Sequence, residues 1–100
     1  MATTTKALVR KAAATSSATL YTVPASTTTV ITNIVVTNTT GTAGSFTLLL
    51  DDVSIATTVT VGANDSTIID LKQVLATTKT IKGFASAITI NFHISGVEIA

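Results

Sequence analysis

The fold is decided by one stretch of the sequence, residues 87–99, which reads AITINFHISGVEI. Isoleucine or phenylalanine occupies every second position from Ile88 to Ile94, and polar residues fill the positions between them. Successive side chains of a β-strand point to opposite faces, so this alternation predicts a strand with one apolar and one polar face. Such a strand needs neighbours along its length and a second layer over its apolar face.

A glycine interrupts the alternation near the end of this strand. Beyond Gly96, Val97 and Ile99 are apolar at positions where the earlier pattern is polar. Glycine inside a strand is typical of a β-bulge, in which one extra residue changes the direction of the side chains that follow. We therefore expect a bulge carried by Gly96.

The composition indicates one domain rich in β-structure. The 100 residues are 46% hydrophobic, which is enough for a single core. Roughly a quarter of them are Thr, and Thr, Val and Ile together dominate the chain, which favours strands because β-branched side chains fit a pleated surface. Cys is absent, so the chain has neither disulfides nor thiolate metal ligands, and stability must come from packing, oligomerisation or both.

Turn-forming sequences divide the rest of the chain into about seven or eight short strands at a spacing of roughly ten residues. The clearest predicted strands after Pro24 are Thr28–Asn38, Val53–Val61, Ser66–Leu71 and Thr80–Ala85. Asp51-Asp52 predicts the tight turn of a hairpin, and the segment 72–76, which does not alternate, predicts one helical turn. The pattern favours a single antiparallel β-sandwich or jelly-roll-like domain over residues 19–100.

The same alternation predicts the core of the sandwich. Apolar residues at every second position of three strands are expected to point inward. They are Ile34, Val36, Phe46, Leu48, Leu50, Ile90, Phe92 and Ile94.

Residues 1–18 form a different kind of segment. They are small and polar, and only Lys6–Arg10 could make a short strand. We interpret them as an extended N-terminal arm that lies against a neighbouring chain by strand addition; the alternative is that the segment packs along its own domain. The predicted partner-binding residues of the arm are Lys6, Leu8, Val9, Arg10 and Lys11. Deleting residues 2–17 is then expected to leave a folded domain that no longer binds its partner.

The sequence contains no recognisable catalytic or metal-binding motif. His93 is the only histidine and lies on the polar face of its predicted strand. Asp51-Asp52 provides too few oxygen ligands for calcium, and Asp65 lies in an ordinary turn sequence, so a pair with Asp70 across a cleft has no support. We therefore expect no cofactor, no metal and no enzymatic activity.

Charge and hydropathy exclude two further classes of partner. A net charge of +1 is too small to indicate nucleic-acid binding. No stretch approaches the ~20 apolar residues of a membrane span, and the N-terminus lacks the apolar run of a signal peptide. Neither nucleic acid nor membrane is therefore expected as a partner, and we expect synthesis in the cytoplasm.

Three motifs carry a resemblance to a known group of proteins. Residues 20–25 (LYTVPA), 34–38 (IVVTN) and 91–99 (NFHISGVEI) resemble small virion proteins of tailed bacteriophages. The likeness covers about four fifths of the chain, from Leu20 onward, and departs from the group at Ser26, where glycine is expected after Pro-Ala. It implies a β-sandwich in the virion, made in the host cytoplasm, with the major capsid protein and copies of itself as partners.

Two functions are compatible with this resemblance. One is a capsid decoration (cement) protein on the outer head surface, as a homotrimer at three-fold positions. The other is a tail-associated or receptor-binding module. The chain has one Tyr and no Trp, whereas sugar-binding faces usually display these residues, so the decoration protein is favoured.

Overall fold

The computed structural model describes residues 2–100, which fold into eight β-strands and no helix. The strands are β1 (Thr3–Ala12), β2 (Ala18–Thr22), β3 (Thr28–Asn38), β4 (Gly44–Leu50), β5 (Val53–Val61), β6 (Ser66–Leu75), β7 (Thr80–Ala85) and β8 (Ile90–Ile99). They form two antiparallel four-stranded sheets, in the orders β1-β8-β3-β6 and β2-β7-β4-β5. We call these the front sheet and the back sheet. The predicted β-sandwich is confirmed, and the strand order is that of a jelly roll.

Strand β8 lies in the middle of the front sheet. β8 pairs with β1 on one side and with β3 on the other, so the strand has the neighbours that its length requires. It begins at Ile90, because residues 86–89 form a bend and a turn. Ile88 lies in that turn and is 70% exposed, so the apolar alternation begins before the strand does.

The bulge near Gly96 is present, but the extra residues lie on the neighbouring strands. β1 has Leu8 as an extra residue opposite β8, and β3 has Thr32. β8 itself keeps its alternation, and Gly96 faces the interior with Ile94. The expectation of a bulge carried by Gly96 is therefore wrong, and Val97 lies on the outer face because β8 does not change phase.

β6 is longer than the sequence indicated. Residues 72–75 continue the strand and pair with β3, so the predicted helical turn at 72–76 is wrong. Leu75 is buried opposite Thr29, and Val74 lies opposite Val30. Pairing along β3 overrides the weak local pattern, as β-propensity depends strongly on context.

The core fills the space between the two sheets. All eight residues predicted to point inward are buried, and Phe46 and Phe92 meet edge to face, with ring centroids 6.1 Å apart. Further residues complete the core from strands or loops without clear alternation. They are Val23, Ile31, Ala56, Val61, Leu75, Ile81 and Ala85.

The N-terminal segment belongs to the front sheet. Residues 3–12 form β1 and pair with β8 of the same chain along its whole length, which is the alternative to the extended arm. Although the segment is mostly small and polar, Leu8, Val9 and Ala13 are buried in the core of its own domain. The bulge lets the adjacent residues Leu8 and Val9 both face inward, which a two-residue period does not predict. Met1 lies outside the described residues.

The turns use residues other than glycine in left-handed conformations. Asp51 and Asp52 have φ angles of 53° and 61°, which confirms the predicted tight hairpin and is typical of a type I′ turn. Ser26 has a φ angle of 57°. A left-handed residue at this position explains in physical terms why glycine is expected there.

Candidate interaction surface

The outer surface of the front sheet, which we call the front face, brings residues of four strands into rows. Arg10 lies opposite His93, His93 opposite Val35, and Val35 opposite Ile68. Residues opposite each other in a sheet share a face, so one row crosses the sheet from a basic to an apolar edge. His93 is exposed on this face, as its position in the sequence predicted.

A shallow depression of about 470 Å³ lies around the basic end of this row. It is lined by Arg10, Asn33, Val35, Thr37, His93 and Ser95. Within residues 2–100, Arg10 forms no ion pair, and its guanidinium offers several donors in a planar arrangement that suits carboxylates. This part of the front face can therefore receive an acidic side chain of another molecule.

The structure separates the five predicted partner-binding residues into two groups. Leu8 and Val9 are 9% and 3% exposed and belong to the core. Lys6 lies 3.4 Å from a carboxylate oxygen of Glu98, while Arg10 and Lys11 are exposed. Of the five, only Arg10 and Lys11 are therefore exposed without an ion pair inside the described part of the chain.

A polar cluster joins the two sheets at one end of the sandwich, and the sequence analysis missed it. The Tyr21 hydroxyl, on the back sheet, donates a hydrogen bond to the carboxylate of Glu98 on the front sheet. The same hydroxyl lies 2.9 Å from the hydroxyl of Thr29, which is fully buried. Burial, followed by the hydrogen bond to Glu98, raises the pKa of Tyr21 to about 12. Glu98 is in phase with Phe92 and Ile94, and that spacing could have revealed its inward position.

One lateral side of the sandwich carries exposed aliphatic side chains. β5 and β6 are the edge strands of the two sheets on this side, which we call the open side. Val53 is 69% exposed and Ile55 38%, and on β6 Ile68 and Val74 are 69% and 67% exposed. A depression of about 240 Å³ lined by Leu50, Val53, Ser54, Ile55 and Gln73 connects the two strands. Large aliphatic residues grouped on unpaired edges are typical of an association surface.

The acidic residues considered as candidate sites serve other roles or stand apart. Asp51 lies 3.7 Å from Lys79 and Asp52 lies 2.7 Å from Lys82, in ion pairs beside the hairpin turn. Asp65 accepts a hydrogen bond from the Ser66 backbone, as turn residues do. Residues 2–100 contain no group of three or more His, Asp or Glu side chains that could hold a metal ion. The described part of the chain also has no helix suited to crossing a bilayer.

Comparisons with known proteins add no family to these observations. The sequence matches no protein-family model and no curated protein. The resemblance to phage virion proteins therefore stays a prediction; it rests on residues 20–25, 34–38 and 91–99. The surfaces of the sandwich provide the structural observations that bear on function.

Proposed function

We propose that the chain is a structural protein of a tailed-bacteriophage virion. In this proposal it is a decoration protein that binds the major capsid protein on the outer head surface and stabilises the head through subunit contacts. The motif resemblance supports the class. The observation that carries the proposal is the open side, where Val53, Ile55, Ile68 and Val74 are exposed on two unpaired edge strands.

The open side supports a function in assembly because it has the properties of an unfinished sheet. An edge strand presents unpaired N–H and C=O groups, and soluble monomers usually cover or charge such edges. Here β5 carries no charged side chain along its length, and β6 carries only Asp70 and Lys72. A neighbouring protein that adds a strand would satisfy the backbone groups and bury the aliphatic side chains.

The basic end of the front face supports a second contact, with an acidic surface. Arg10 lies on the front face opposite His93. The next residue, Lys11, lies opposite Phe92 and is exposed at the outer edge of β1, beside this face. Exposed charges at the rim of an interface mainly accelerate association and make it depend on salt. We therefore assign Arg10 and Lys11 to steering of the chain toward the capsid.

Counting copies of the protein in purified virions tests the proposal. Quantitative mass spectrometry against the major capsid protein is expected to give hundreds of copies per particle. A few to tens of copies would place the chain in the tail, the alternative location. Absence from purified virions would overturn the proposal.

A binding assay on capsids that lack the protein tests the steering role. The variant Arg10→Gln/Lys11→Gln is expected to attach more slowly than the wild type at low salt, with little change in the rate of release. Lys79→Gln is the matched control, since Lys79 is exposed but lies beside Asp51, away from the front face. Equal association rates and equal salt dependence for all three proteins would exclude this role.

A further inference from the structure

The outer positions of β6 follow a symmetrical order. Ile68, Asp70, Lys72 and Val74 are exposed at every second position of this strand, while Ile69 and Leu71 pack against the core. Gln73 is exposed as well, and the pairing with β3 is irregular at Leu71 and Lys72. The outward stripe therefore reads apolar, acidic, basic, apolar, and its centre is Leu71. One side of β6 pairs with β3, and the other side is the open edge of the front sheet.

This order is complementary to itself when the strand is reversed. If a second copy of β6 pairs antiparallel with the first and the two-fold axis passes through Leu71, Asp70 faces Lys72 of the second copy. The same pairing places Ile68 opposite Val74 of the second copy. Directly opposed residues share a face and their Cβ atoms lie about 5 Å apart, so both pairs would be in contact.

We propose that the open edge of β6 binds the β6 edge of a second copy of this chain. The two front sheets then form one sheet of eight strands. The occupant is a second copy because the stripe complements its own reverse in charge and in apolar character. The interface brings Ile68 of one copy against Val74 of the other and covers part of the surface of the two most exposed aliphatic residues of β6.

The charges also select one register of pairing. Other registers of the two β6 strands also keep outward side chains opposite outward side chains. The nearest of them move the two-fold axis from Leu71 to the residue before or after it. With the axis at Asp70, the Asp70 side chains of the two copies lie opposite each other. With the axis at Lys72, the two Lys72 side chains do. Like charges directly opposed are destabilising, so the register centred on Leu71 is favoured over its neighbours.

The inference does not depend on the virion assignment, because it concerns the isolated chain. It differs from the homotrimer expected from the sequence, since pairing of two identical edges is two-fold and closes at two subunits. The mass of the particle in solution distinguishes the two assemblies.

Charge reversal tests the pairing on the full chain. Sedimentation equilibrium of the wild type is expected to give twice the monomer mass of 10.2 kDa. Asp70→Lys and Lys72→Asp each place like charges opposite each other and are expected to raise the dissociation constant at least about tenfold. The double variant Asp70→Lys/Lys72→Asp restores opposite charges and is expected to recover the dimer. A wild type that is monomeric up to about 1 mM, or trimeric, would overturn the inference. So would a dimer that ignores both single reversals.

Disulfide trapping tests the register, since the chain has no Cys of its own. Opposed residues in an antiparallel pair have Cα separations of about 4.5–5.5 Å, within the range of a disulfide. Leu71→Cys is therefore expected to form a covalent dimer under mild oxidation. Ser66→Cys is the control, because its own copy would lie ten residues along the strand, roughly 33 Å away.

A second pair of positions covers the case in which Leu71→Cys fails to fold. Ile68→Cys/Val74→Cys changes only exposed positions and is expected to give the same covalent dimer. Circular dichroism establishes that each variant is folded. Failure of this folded variant to form a covalent dimer, or equal trapping of Ser66→Cys, would show that the strands do not meet in this register.

Discussion

Gly96 of β8 lies so close to Val30 of β3 that a Cβ atom on residue 96 would overlap the Val30 carbonyl oxygen. It would also lie 2.9 Å from a Leu8 methyl group, because Leu8 fills the space that a side chain would take. Gly96→Ala should therefore lower the free energy of unfolding by about 1–3 kcal/mol, as overpacking does. Gly41→Ala is the control, since no atom lies within 4 Å of its added Cβ. Equal denaturation midpoints for both variants would contradict the close approach.

Phe92 is expected to be a major contributor to the stability of the core. It is fully buried and packs edge to face with Phe46. Phe92→Ala should lower the free energy of unfolding by about 3–5 kcal/mol in chemical denaturation. Ile88→Ala removes an exposed side chain of the preceding turn and should change it by less than about 0.5 kcal/mol. A loss below about 1 kcal/mol for Phe92→Ala would be incompatible with the core described above.

The polar cluster around Tyr21 should make stability fall at high pH. The pKa of Tyr21 is raised to about 12 by burial and by the hydrogen bond to Glu98, from a value of 10.0 in the unfolded chain. When folding raises the pKa of a group, its protonated form is favoured in the folded state. The resulting stabilisation is fully present at pH values below the pKa of the unfolded chain. That contribution is lost as the pH rises through the folded value. The free energy of unfolding should therefore decline between about pH 10 and pH 12.

Tyr21→Phe is the matched control for this pH dependence. Lysines also titrate in this range, so the difference between wild type and Tyr21→Phe isolates the tyrosine. The chain has one Tyr, and its ultraviolet absorbance therefore reports the ionisation of Tyr21 alone. A titration midpoint near 10 in the folded protein would show that Glu98 and burial do not act on this hydroxyl.

Deletion of residues 2–17 should prevent stable folding, in contrast to the folded domain expected from the sequence, because β1 is part of the front sheet. The deletion removes β1, exposes one edge of β8, and takes Leu8, Val9 and Ala13 from the core. We expect the shortened chain to lose its cooperative thermal transition, measured by circular dichroism. Lys11→Gln alters an exposed residue of the same strand and should leave the transition unchanged. A truncated chain with the same thermal transition as the wild type would show that β1 is an arm that the domain does not need for folding.

Much of the fold was predictable because its main signal is a two-residue period. Thr28–Asn38, Val53–Val61 and Thr80–Ala85 have the predicted bounds, and the apolar residues predicted to point inward from β4 and from Ile90 to Ile94 of β8 are buried. Alternation fails where a strand bulges, as at Leu8 and Val9. It also fails where pairing with a neighbour decides the structure, as along β6 beyond Leu71.

The candidate surfaces were less predictable than the fold. The sequence indicates three basic residues, Lys6, Arg10 and Lys11, as candidates for partner binding. Only the pairing of β1 with β8 shows that Lys6 lies beside Glu98 and that Arg10 lies beside His93. The symmetry of Ile68, Asp70, Lys72 and Val74 is visible in the sequence. This symmetry indicates a pairing surface only once the structure shows that β6 is one continuous strand at the edge of the front sheet.

The position of β8 between β1 and β3 also governs the order of events when the chain is made. β1 has no other neighbour in the front sheet, so its backbone stays unpaired until β8, the latest of the eight strands to be synthesised, is available. Closing so long a loop is slow, and topologies dominated by distant pairings fold slowly. During translation the nascent chain therefore carries β1 and β3 with their apolar faces uncovered, which favours contact with chaperones or with other nascent copies. Completion of the front sheet thus waits until β8 has been synthesised.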